Sequence, residues 1–267
     1  MNHSRRSFLG SWLASGPLLL IARGEQPPKS DAAIPATFPS HDPNLAREMV
    51  SVSHGNVPRV RELIANRPAL AKAVWDWGYG DWETALGAAA HVGNREIAEL
   101  LIRAGAPPTI FSAAMLGELA VVQAMIGASP GLQRTKGAHG ISLLAHAKAG
   151  TATDVVRFLE ALGDADPRYR NEPLSESDRT AIVGIYTYGS SATDRLAVQI
   201  NKRGVLIIQR EGASERNLFH LGERVFHPAG AEDVRIRFGA GAPAATVHIE
   251  DGALVVTGKR QQAVPFH

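Results

Sequence analysis

The chain is expected to be α + β in separate domains: an N-terminal helical solenoid followed by a small antiparallel β-meander or barrel-like domain. Three observations predict this. Short apolar patterns of helical period recur from about residue 44, each broken by a glycine, at Gly55, Gly93, Gly117 and Gly150. After Asn171-Glu172-Pro173 the period changes to the alternation of strands, with turn formers between short runs. No cysteine is present, so neither part can rest on a disulfide framework or a cysteine zinc site.

The helical part is read from its most regular stretch, Thr84 to Ala106. Ala88, Ala89 and Ala90 allow a first helix to sit close to its neighbours, Gly93 interrupts, and Ile97, Leu100 and Leu101 give a second helix an apolar stripe. A pair this short cannot bury its apolar face alone, so it needs copies stacked beside it. The stretch resembles an ankyrin repeat, departing from that family's usual Pro and His at Ala85 and Gly87. The resemblance implies a preformed surface that binds another protein, contacted at the hairpin tips and the first helices. The four glycines are spaced 38, 24 and 33 residues apart, against a repeat of roughly 33. That predicts about four units, with an insertion after the first and a shortened hairpin before the third.

Expected helices are Asn44 to Val52 and Val57 to Ile64 in the first unit, with Val60, Leu63 and Ile64 buried and Pro68 as the stop. In the third, Phe111 to Leu116 leads into Leu119, Val122 and Met125. In the fourth, Ile141 to Leu144 leads into Val155, Val156, Phe158, Leu159 and Leu162. The domain spans 44–170.

The insertion between the first two units holds three of the four tryptophans. Trp75, Trp77, Tyr79 and Trp82 beside glycines have the composition of an interaction hot spot, so they are the candidate partner anchors. The plainer alternative is that the tryptophans fold back to fill the groove between units. A second finger, Arg134 to His139, supplies Lys136 and His139 as further partner-contact candidates, although a solvated turn also accounts for it.

The C-terminal domain, 174–260, is expected to contain strands at Ile182 to Tyr188, Arg195 to Ile200, Val205 to Gln209, Asn217 to Leu221, Val234 to Phe238, Thr246 to Ile249 and Leu254 to Thr257. Leu196, Val198 and Ile200, and likewise Val234, Ile236 and Phe238, define the inward face. Asn201 to Gly204 and Asp251-Gly252 read as tight turns. The order Leu174, Gly184-x-Tyr186, Gly204-Val205-Leu206, Leu218-x-x-Leu221 and Val225-Phe226 resembles the small β domain appended to many bacterial serine β-lactamase-like proteins. That likeness implies an accessory module and carries over no catalytic residue. Were this module to bind a small molecule, Tyr186, Tyr188, Phe219, Phe226 and Phe238 would be the pocket residues.

At the N-terminus, Ser4-Arg5-Arg6-Ser7-Phe8-Leu9 precedes an apolar segment too short to span a bilayer. Arg5, Arg6, Phe8 and Leu9 resemble the twin-arginine signal, which sends folded proteins across the bacterial inner membrane. Residues 1–24 are thus an expected export signal and 25–43 a proline-rich linker. The destination is periplasmic or secreted, with an uncleaved N-terminal anchor as the alternative and no transmembrane segment in the mature chain.

The formal net charge of +2 owes three arginines to the leader; without it the chain has 25 basic and 26 acidic residues, which gives no footing for nucleic acid. His91, His139, His146, His220, His227 and His248 lie at no metal-ligand spacing along the chain. No nucleophile elbow, phosphate loop or dinucleotide fingerprint is present, and Asp76 and Asp81 lack the further element that a sugar-cleaving pair needs. The sequence therefore predicts a non-enzymatic binding protein with no catalytic residues, no cofactor and no metal. Its partner is another protein, and ligand binding by the β domain or an envelope enzyme are the lesser readings.

Overall fold

The computed structural model describes residues 36–261. The expected export signal, with Arg5, Arg6, Phe8 and Leu9, and most of the proline-rich linker lie outside the described residues. The chain divides into two units, Met1–Pro39 and Ser40–His267. Of the first, residues 36–39 are described and form an exposed turn. The second holds both the helical and the β parts.

Its first eight helices come as consecutive pairs: α1 (Pro43–Val52) with α2 (Val57–Asn66), α3 (Ala85–His91) with α4 (Arg95–Arg103), α5 (Ile110–Leu116) with α6 (Leu119–Ala128), and α7 (Leu143–Ala149) with α8 (Thr153–Leu162). The first helices touch in the order α1, α3, α5, α7, and second helices meet at α2 with α4 and α6 with α8. Most of these helices start on a side-chain cap. Asp42, Asn56, Thr84, Asn94 and Ser142 each accept from a backbone N–H of the first turn, and Thr109 with Ser112 forms a reciprocal capping box.

Ala88, Ala89, Ala90, Ile97 and Leu101 are fully buried, as the packing argument requires. Leu100 is half-buried, while Met125 and Leu162 face solvent, Leu162 as the last residue of α8. The interval after α2 is a 3-10 turn, Pro68–Lys72, followed by a hairpin of β1 (Val74–Asp76) and β2 (Trp82–Thr84). Proline 68 therefore ends α2 and begins the next turn.

The β part is a closed barrel in which β3 (Gly184–Thr187), β4 (Arg195–Ile200), β5 (Leu206–Arg210), β6 (Arg216–Gly222), β7 (Val225–Pro228), β8 (Arg235–Phe238), β9 (Thr246–Asp251) and β10 (Leu254–Arg260) pair antiparallel with their sequence neighbours. Strand β10 closes on β3 through Lys259 opposite Thr187 and Arg260 opposite Tyr186, leaving no open edge. Alternation puts Leu196, Val198, Leu218, Ile236, Phe238, Val247 and Ile249 in the interior.

Two expectations are corrected. Ile200 is exposed, since it sits at the last register position of β4 where the interior has ended. The first expected strand begins two residues too early, because residues Glu176–Ile182 form a helix, α9, capped by Ser175. Apolar Ala181 and Ile182 are buried, with Ile182 in the barrel core, so the apolar residue read as the first of the strand is the last of a short helix. Strand β7 was not anticipated as a separate element; it pairs with β6, Phe226 opposite His220 and its last residue Pro228 opposite Leu218.

Candidate functional site

The hairpin β1–β2 places the chemistry. Its tip turns on Gly78 and Gly80, both at positive φ, with Tyr79 between them at φ 61°. The Trp77 amide donates to the Asp81 carbonyl and the Gly78 amide to the Asp76 carboxylate, so the reversal is held at both ends. A left-handed tyrosine is costly by about 1–2 kcal/mol, which the fold offsets by packing its ring against the barrel core. Burial pushes the Tyr79 phenol up to about 12.

Alternation along β2 sends Trp82 outward and Glu83 inward. Trp82 keeps 63% of its surface exposed, while Trp75 and Trp77 are half-buried against the core of the first helix pairs. The guanidinium of Arg47 lies over the Trp75 ring at 5.8 Å. Between this hairpin and the barrel is a cleft of about 730 Å³ whose walls include Arg47, Trp75, Trp77, Tyr79, Tyr188 and Arg216. On the barrel side it reaches Leu196, Ile208 and Ile249, and so opens into the apolar interior. Aromatic walls with a few charged groups are what a ligand seat requires.

Tyr188 thus belongs to the cleft. Tyr186, Phe226 and Phe238 do not: all three are buried and packed edge to face or tilted on one another inside the barrel. Phe219 stacks on His227 and packs against Tyr169, on a different wall. Of these rings, sequence alternation placed only Phe238 on the inward face, and it could not say which end of the barrel stayed open.

The second finger is engaged by the chain's own barrel. Lys136 pairs with Glu232 at 3.0 Å and lies 3.5 Å above the ring of Tyr169, whose hydroxyl accepts from the Gly230 amide. His139 donates its backbone N–H to Asp81 Oδ1 at 2.7 Å, and its Nδ1 lies 2.7 Å from Asp81 Oδ2. Arg216, on β6, reaches the same carboxylate oxygen and is 3.0 Å from His139 Nδ1. Two members of the expected partner surface, Lys136 and His139, and the tip residue Tyr79 therefore meet an internal partner.

Behind the hairpin lies a cluster that linear spacing concealed. His54 from the α1–α2 turn, Glu83 from β2, His91 from α3 and His139 from the 3-10 turn Ala138–Gly140 each turn one potential ligand atom into a space where all four lie within 4.8 Å of one another. Glu83 Oε1 is 3.0 Å from His91 Nε2 and 3.4 Å from His139 Nε2, and Oε2 is 3.6 Å from His54 Nε2. The Trp77 indole donates to Oε2 at 2.8 Å. Although the Glu83 side chain has no exposed surface, which by itself favours the neutral acid, the surrounding imidazoles hold its carboxyl down at about 2. His139, also desolvated, is held up at about 9 by Asp81 and Glu83. A second, shallower cleft of about 370 Å³, lined by His54, Trp77, His139, Arg216 and Asn217, leads to this cluster. The signal in the sequence was present but scattered across 86 positions, from His54 to His139.

The family model for the ankyrin repeat matches residues 81–112, the stretch carrying β2, α3, α4 and the start of α5. An ankyrin repeat suggests a role in protein–protein interaction. Comparison with curated proteins found no match. No helix among the described residues is long and apolar enough to cross a membrane.

Proposed function

We propose that this is an exported, non-enzymatic binding protein in which α1–α8 form an ankyrin stack of about four repeats and the barrel is docked on its fingers. The stack engages another protein in the bacterial cell envelope. The observation that carries this reading is the β1–β2 hairpin, which leaves Trp82 mostly exposed next to the half-buried rings of Trp75 and Trp77. An exposed aromatic on a pinned hairpin binds at low entropic cost, because its backbone is already ordered. Export is supported by the pattern of Arg5, Arg6, Phe8 and Leu9. The accessory-module likeness of 174–260 fits a barrel that covers the fingers rather than one that performs chemistry.

The test is recovery of partners from a periplasmic extract by the native chain and by variants with Ala at Trp75, Trp77 and Trp82. Loss of a specific protein with the fold intact supports the reading, and identical recovery refutes the hairpin as anchor. A small-molecule reading is favoured by one specific feature: the 730 Å³ cleft includes Arg216, whose Nε and Nη2 have no hydrogen-bond partner and could receive an acceptor group. Substituting Tyr188, which lines that cleft from the barrel side, would weaken such a ligand and leave protein recovery unchanged.

A further inference from the structure

We propose that His54, Glu83, His91 and His139 bind a divalent transition-metal ion, for which Zn2+ is the best match to the donor set. The site touches the hairpin through Trp77, whose indole donates to Glu83, but the inference does not depend on the partner reading. Four separate elements deliver the four side chains, so the convergence is not a by-product of one helix or loop. Tetrahedral Zn2+, with ligand bonds of about 2.0–2.1 Å, sets neighbouring donor atoms roughly 3.4 Å apart. The contacts of Glu83 Oε1 with His91 and His139 Nε2, at 3.0 and 3.4 Å, are close to that separation, and its other oxygen lies 3.6 Å from His54 Nε2.

The orientation of the rings argues the same way. His54 Nδ1 is 3.0 Å from the Ser51 carbonyl, which accepts only from an N–H; Nδ1 is therefore the protonated nitrogen. In the neutral ring, Nε2 then presents a lone pair to a carboxylate oxygen, acceptor against acceptor. His139 shares the orientation, with Nδ1 held by the Asp81 carboxylate and Nε2 turned to Glu83, although as a cation its Nε2–H can donate to that carboxylate. Fixing one ring nitrogen on a carbonyl or carboxylate while the other faces inward is how metal-binding histidines are oriented. Glu83 Oε1 and His91 Nε2 are moreover buried without any hydrogen-bond partner. A cation among the four satisfies these two atoms and His54 Nε2 together, whereas a proton shared between Glu83 Oε1 and His91 Nε2 leaves His54 Nε2 facing the carboxylate.

Three imidazoles and a carboxylate, with no thiolate in the chain, are borderline donors that suit Zn2+ over Mg2+ or Ca2+. With all four positions supplied by protein the site is closed, which is the pattern of structural zinc. Bound metal would tie the α1–α2 turn, the hairpin, α3 and the second finger into one joint, directly under the hairpin that carries Trp82.

The experiment uses the untagged full chain, stripped with chelator and dialysed, then titrated with Zn2+ by calorimetry and metal analysis, and with Co2+ by absorption. The expected result is one ion per chain, a rise in Tm on Zn2+ addition, and the intense visible bands of four-coordinate Co2+. His54→Ala and Glu83→Gln should each lower Zn2+ affinity at least about 100-fold, and Asp81→Asn about 10–100-fold through the orientation of His139. His41→Ala, on the exposed surface, should leave it unchanged. His54 is partly exposed, so its variant is expected to stay folded by circular dichroism. If the native chain takes up no Zn2+ at micromolar concentration, shows only the weak bands of six-coordinate Co2+, or binds equally well after His54→Ala and Glu83→Gln, the proposal is overturned.

Discussion

Arg216 on β6 and Asp81 at the end of the hairpin tip form an ion pair in which the two side chains keep 7% and 3% of their surface. It joins the barrel to the helical part through two buried side chains. Asp81 also accepts from the His139 backbone, so a single carboxylate fixes the hairpin, the second finger and the barrel relative to one another. Its charge is retained against desolvation by His139 and Arg216, which hold its carboxyl below the usual range.

Removing Asp81 leaves Arg216 buried without a counter-charge, and removing Arg216 leaves Asp81 buried with His139 as its remaining partner. Arg216→Met is therefore expected to cost about 3–5 kcal/mol, and Asp81→Asn with Arg216→Met substantially less than the sum of the singles. Denaturant unfolding of the four members of the double-mutant cycle checks this. Additive losses would mean that the two groups are not coupled across the interface.

Trp82 should behave in the opposite way. With most of its ring in solvent, Trp82→Ala is expected to change stability by no more than about 0.5 kcal/mol. Its effect should fall on partner recovery instead. A large loss of stability would place the ring in the structure's own core and remove it as an anchor.

The Lys136–Glu232 bridge should make the same interface sensitive to acid. Although burial opposes ionisation of Glu232, its hydrogen bond to Lys136 holds the carboxyl below its ordinary value of 4.5. His227, Arg235 and Tyr169 complete the titratable surroundings of this pair. A carboxyl with a depressed folded pKa binds protons more readily when unfolded, so its stabilisation is present above 4.5 and is lost as pH falls through the folded value. Hydrogen exchange at 136–140 and 229–232 should accelerate over that acid range in the native chain. Glu232→Gln should show weaker protection near neutrality and lose this acid step.

Much of the helical part was legible because its signals are local. Alanine runs, side-chain caps and glycine breaks need only one turn of chain to act, and Ala88 to Ala90 pack where the pattern put them. The barrel was legible as alternation, but its closure is a contact between β10 and β3, 74 residues apart at Arg260 and Tyr186, and no local pattern encodes that. The tryptophan-rich insertion was visible as a candidate site from composition alone. Its division of labour was not: the two-residue period of β2 separates exposed Trp82 from buried Glu83, and that period only has meaning once the hairpin register is known. The histidine cluster was hidden for the same reason, since His54 and His139 become neighbours through tertiary packing rather than through spacing.

The four turn glycines look alike in sequence and should not be alike in mutational effect. A Cβ at Gly150 would collide with the backbone of Met115, and one at Gly93 with the carbonyl of Ala149; Gly93 is also at φ +74°, where an L side chain is strained. Gly117, at φ +81°, has only an ordinary contact with Ala152, so its cost is conformational. Gly55 has nothing within 4 Å and no positive φ. Replacement by Ala is therefore expected to destabilise by several kcal/mol at Gly93 and Gly150, where backbone must move in a close-packed stack, on the scale of about 1–3 kcal/mol or more for overpacking. At Gly117 the left-handed backbone alone sets a loss of about 1 kcal/mol. At Gly55 the sign reverses, because Ala narrows the unfolded ensemble without meeting anything in the folded one, giving a gain of about 0.4–1 kcal/mol. Urea midpoints for the four single variants measure the series directly. Equal losses at Gly55 and Gly150 would show that the turns are not held against neighbouring units as the packing of Gly150 on Met115 requires.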